Sequence, residues 1–77
     1  MPKVPRISGE DAVRAFEQVG FVHTRTRGAH HILKKDGHEY LLSIPVHRGK
    51  TIGLGLLKSQ IDAAGLTVKD FISLLRT

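Results

Sequence analysis

The sequence predicts an α+β fold in which helices cover one face of a three-stranded antiparallel sheet. Three observations carry this: helically spaced apolar residues near both ends, β-rich segments between them, and turn residues at the junctions. The expected order is α-β-β-β-α-α, and a meander with helices on one face is the economical way to bury both apolar surfaces.

The elements follow in order. Residues 1–7, "MPKVPRI", hold two prolines and no periodicity, and read as an irregular arm. Ser8 then offers an N-cap, with Glu10 and Asp11 in the first turn, where acidic groups complement the helix dipole. Ala12, Val13, Phe16 and Val19 share a helical face, and Gly20 is a stop signal, so the first helix is expected over Gly9 to Val19. "FVHTRTR" reads as a strand, "GA" as a turn, and "HHILKK" as a second strand. Asp36–Gly37 is expected to form a two-residue type I′ hairpin leading to a third strand, "HEYLLSI". Pro45 cannot donate to a ladder and is expected at an edge or at the end of pairing.

"HRGKTIG" is a basic loop. "LGLLKSQIDAA" is a helix with Leu54, Leu57, Ile61 and Ala64 on one face and Gly65 as its stop. Thr67 and Asp70 have capping-box spacing ahead of a short last helix, whose stripe is Val68, Phe71, Ile72 and Leu75.

The chain is 77 residues long, which suits one small domain with a modest core. There is no cysteine, so neither a disulfide nor a thiolate site is available, in keeping with a reducing cytoplasm. The opening residues contain no apolar run resembling a signal peptide, and no segment reaches the ~20 apolar residues of a membrane span. The net charge of +5 and pI of about 10.1 favour a polyanionic partner, nucleic acid first and an anionic membrane second, with an acidic protein equally consistent.

Arg25 to Ile52 holds four of the five histidines. His30 and His31 are adjacent in a strand, so they face opposite ways. Ile32 and Leu33 are both apolar, and periodicity leaves open which histidine faces the helices. Metal binding is not expected, because zinc needs three or four converging ligands and only Asp36 and Glu39 lie nearby. Two readings remain open: solvated strand-end histidines, or a proton-transfer site. Histidine trades protons near neutrality, and Arg25, Arg27, Lys34, Lys35, Arg48 and Lys50 would suit an anionic substrate. RNA supplies its own nucleophile, the 2′-hydroxyl. Gly28 has two compatible readings: first a tight turn, and second an approach for a phosphate to the backbone. Tyr40 is the one aromatic side chain among these residues, and reads equally as core.

A helix ending in "GF", then "GAHHILKKDG", then "IPVHRGKTIGLGLLKSQIDAAGLTVKDFISLL" resembles the HicA (YcfA-like) toxins, from about Ile7 to Leu75. The resemblance implies a double-stranded-RNA-binding-like fold, metal-independent cleavage of mRNA and neutralisation by a HicB-like antitoxin. It implies that His31, as the last residue of a Gly-Ser-x-His motif, is catalytic. Ala29 stands in place of the motif's serine. Arg27, Gly28, Lys34 and Lys35 are the expected RNA contacts, with His30, His47 and Lys50 as accessory candidates. His47 occupies the family's Pro-x-His position. No cofactor is expected. The rival readings are a non-catalytic RNA-binding module and a basic protein-interaction domain.

Overall fold

The computed structural model describes residues 2–76. Its elements are α1 (Gly9–Glu17), β1 (Val22–Arg27), β2 (His30–Lys34), β3 (Leu42–Pro45), α2 (Leu54–Ala63) and α3 (Val68–Leu75). The α+β class and the expected order are those observed. The sheet is antiparallel, in the order β1-β2-β3.

Ser8 caps α1 by accepting from the Asp11 amide at 3.1 Å. The helix is regular to Glu17 and then closes through a turn. Gly20, at φ 98°, allows its own amide to reach the Glu17 carbonyl and the Phe21 amide to reach the Phe16 carbonyl. Gly65, at φ 78°, does the same for α2: its amide bonds Asp62, and the Leu66 amide bonds Ile61. Both are Schellman ends, which require the left-handed conformation that glycine adopts without a Cβ clash. The first of them drops Phe21 beside Phe16, with ring centroids 6.1 Å apart.

The core lies on one side of the sheet. Phe16, Phe21, Leu33, Leu42, Ile44, Leu57, Ile61 and Phe71 are its largest fully buried side chains. Phe16 also touches Phe71 of α3, at 5.0 Å between centroids. Thr67 and Asp70 form the expected capping box. Leu54, expected on the apolar face of α2, is instead partly exposed at the start of that helix. Residues 2–7 are irregular but anchored: next to them Ser8 bridges to Thr51, and the Ile52 amide bonds the Ile7 carbonyl at 2.9 Å.

The link between β2 and β3 differs from expectation. The Asp36–Gly37 turn is present, with the His38 amide bonded to the Lys35 carbonyl at 3.0 Å. It is not type I′, because Gly37 has positive φ and Asp36 does not. The third strand begins at Leu42, not His38. The His38 imidazole is drawn away to the Ala63 carbonyl at the end of α2, at 2.6 Å, and packs edge-on against Phe21. Residues 38–41 lie outside the ladder. Tyr40, in this loop, is exposed rather than core. Pro45 is the last residue of β3, opposite His30, as its missing donor requires. Among the described residues no helix is long and apolar enough to cross a membrane.

Candidate active site

The register assigns each side chain to a face. Leu33 pairs with Leu42, and His31 with Ile44. Leu33, Leu42 and Ile44 are buried, so His31 shares the helix-side face and His30 points to the open one. His31 lies beyond the covered part of that face and is half-buried.

β1 has an irregularity between His23 and Arg25. His23 lies opposite Leu33, and Thr26 opposite His31, so both fall on the helix side. In a regular strand, residues three apart face opposite ways; the extra residue, Thr24, resets the alternation. The Thr24 hydroxyl donates across the sheet to the Ile32 carbonyl at 3.1 Å, which holds the bulge in place. The result is a ledge of three polar side chains beside the core. The His23 and His31 ring centroids are 4.8 Å apart, and His23 Nε2 lies 2.9 Å from Thr26 Oγ1. Every residue of β1 is exposed, so the ledge is open to solvent along that edge.

The open face carries a different set. Rows across it run Arg25 to Ile32 to Ser43, and Arg27 to His30 to Pro45, with Val22 opposite Lys34. Arg27, Gly28, His30, Ile32 and Ser43 line a shallow groove there. Gly28, at φ 58°, makes the β1–β2 turn, and a Cβ built on it would meet nothing within 4 Å. Space is free above this turn, and the requirement for glycine is conformational. The Val46 amide bonds the Ala29 carbonyl at 2.8 Å, which ties the start of the next loop to the same turn. That loop continues through His47, Arg48, Gly49 and Lys50, all four of them exposed.

The expected site residues thus divide. His30, Arg27 and Lys34 project from the open face, while Gly28 forms the turn and His47 and Lys50 lie in the loop tied to it. His31 is on the helix side with His23, a residue that carries no motif signal in the sequence. Lys35 follows β2 at the far end. Its chain packs over Gly20 and its ammonium stands 5.7 Å from the Phe21 ring centroid. It is ~13 Å along the strand from His31, at about 3.3 Å per residue. Neither His23 nor His31 is ion-paired with a carboxylate among the described residues. No group of three or more metal-ligating side chains converges among those residues either.

Chemically, the ledge offers two imidazoles and a hydroxyl to one small region of solvent. The open face offers guanidinium and ammonium groups, suited to a phosphate backbone. Comparison with curated proteins gave no match. The family model described as the HicA toxin of bacterial toxin-antitoxin matches residues 9–66, from the start of α1 through the Schellman end of α2. The match takes in the whole sheet, the ledge and the Gly28 turn, and the chain belongs to the HicA toxin family.

Proposed function

We propose that this chain is the toxin of a toxin–antitoxin pair and that it acts as a metal-independent endoribonuclease on mRNA in the cytoplasm. Family membership supports the toxin role and implies a cognate antitoxin. The observation that carries the chemistry is the position of His31: half-buried, on the rim of the core, and open to solvent along β1. A side chain in that setting is held by its strand yet reachable by a substrate. His31 transfers a proton to or from the 2′-hydroxyl or the leaving oxygen. Attack of the 2′-oxygen on phosphorus breaks the bond to the 5′-oxygen, leaving a 2′,3′-cyclic phosphate and a 5′-hydroxyl. Arg27 and Lys34 hold the flanking backbone from the open face, with Gly28 admitting it at the turn. Lys35 adds positive charge at the opposite corner, and His47 and Lys50 extend the contact beyond the turn. A HicB-like antitoxin neutralises the toxin by covering the exposed β1 edge.

The test is cleavage of RNA by the purified protein in EDTA, beside His31→Ala. Cleavage by wild type and none by the variant supports the proposal, and a variant that cuts at the wild-type rate refutes the role of His31. A second reading, a non-catalytic RNA-binding module, is favoured by Ala29, which leaves the motif without its hydroxyl. It predicts salt-sensitive binding by both proteins and strand scission by neither.

A further inference from the structure

We propose that His23 is the second proton-transfer residue of this site, paired with His31 so that one imidazole acts as base and the other as acid. The inference rests on the ribonuclease reading above and adds to it a residue on a different strand.

Three observations lead to it. The bulge at Thr24 turns His23 and Thr26 to the face that His31 occupies. The two imidazoles are in ring contact, at 4.8 Å between centroids and 49° between planes. Thr26 Oγ1 lies 2.9 Å from His23 Nε2. A hydroxyl oxygen accepts from an imidazole N–H whether the ring is neutral or charged. With Nε2–H donating to Thr26 Oγ1 in both states, the His23 ring keeps one orientation, and Nδ1 is the nitrogen that gains and loses the proton. A carboxylate would bias the ring towards its charged form, and none is ion-paired with either histidine among the described residues.

The reaction needs both functions. One imidazole removes the 2′-hydroxyl proton as the O2′–P bond forms. The other gives a proton to the 5′-oxygen as the P–O5′ bond breaks. The pair gains one proton and loses one, so its total is unchanged and the carrier is exchanged. His23 is exposed, so water can return the pair to its starting state.

The probe is an RNA oligonucleotide spanning a cleavage site mapped with the wild-type protein, made with its natural 5′-oxygen or with a bridging 5′-sulfur at that bond. A thiolate leaves without protonation and relieves the need for an acid. His23→Ala and His23→Gln should cut the oxygen substrate ~10²-fold or more slowly than wild type, the usual reach of one acid–base group. Circular dichroism should show both still folded, since His23 is exposed. Of the His23 and His31 alanine variants, one should regain near-wild-type cleavage of the sulfur substrate, marking the acid, and the other should not, marking the base. Wild-type rates for both His23 variants on the oxygen substrate overturn the pairing. So does an equal loss on both substrates for the two alanine variants, which would make His23 a packing residue. If wild type cuts neither substrate, the ribonuclease reading falls, and the pairing with it.

Discussion

β1 and β3 flank the same central strand and have opposite surroundings. β3 places Leu42 and Ile44 in the core, and its outer edge is met by α2, where the Ser43 amide bonds Gln60 Oε1 at 2.9 Å. β1 is exposed throughout and interrupted by a bulge. A strand that supplies no core residue is free to carry histidine, threonine and arginine, and its unpaired edge is blunted by charge and by the bulge. Buried side chains are concentrated on the β3 side and exposed polar ones on the β1 side, and β2 contributes to both through Leu33 and His31.

The largest effect expected is on the covered side. Phe16 is fully buried and touches both Phe21 and Phe71. Phe16→Ala should cost about 3–5 kcal/mol, enough to unfold much of a small domain. Urea denaturation followed by circular dichroism reads this directly. A loss under about 1 kcal/mol would mean that the three aromatic rings do not form the centre of the core.

The two faces of β2 give the next test. His30→Ala should weaken RNA binding while leaving the cleavage rate at saturating RNA within about tenfold of wild type. His31→Ala should lower that rate by ~10²–10⁴. Single-turnover cleavage at saturating RNA separates the two. The reverse result would move the reactive centre to the groove with Arg27 and Ser43. On the same open face, replacing Arg25 and Arg27 by alanine should reduce the slope of log affinity against log salt by about 1 for each phosphate that is no longer neutralised.

How much of this the sequence revealed depends on the range of the interactions involved. Caps are local, so Ser8, Gly20, Gly65 and the Thr67–Asp70 pair placed the helices near where they occur. The Asp36–Gly37 signal was also local and the turn forms, but the strand expected directly after it does not, and His38 reaches the Ala63 carbonyl 25 residues away. The face of His31 was hidden because Ile32 and Leu33 are equally apolar, and only pairing with Leu42 and Ile44 decides it. His23 was hidden for a related reason. Strict alternation puts it opposite in sense to Thr26, and the bulge that reverses this has no signature in "VHTRTR". Gly9 is another residue whose role is tertiary. A Cβ there would run into the Pro45 carbonyl oxygen and the Val46 Cα. Both are backbone, so Gly9→Ala should cost about 1–3 kcal/mol by overpacking, read as a lowered urea midpoint.

The smallest effect expected concerns charge at the start of α3. Asp70 Oδ2 accepts from the Thr67 amide at 3.2 Å, and Thr67 Oγ1 accepts from the Asp70 amide at 3.0 Å. The Thr67 backbone N–H, and then its side chain, hold the Asp70 carboxyl below its ordinary value. A carboxyl depressed in this way stabilises the fold fully above its unfolded value, near about 3.9, and the contribution fades as pH falls through the folded value. Asp70→Asn keeps the shape and removes the charge. The urea midpoints of wild type and variant should therefore differ slightly at neutral pH and converge as pH drops below ~4. A gap that persists at low pH would mean that geometry, not charge, secures this end of α3. Cleavage at neutral pH should not change, because α3 supports the core through Phe71 while His23 and His31 are held by β1 and β2. A change in rate would show that the covered and exposed sides are less separate than their packing indicates.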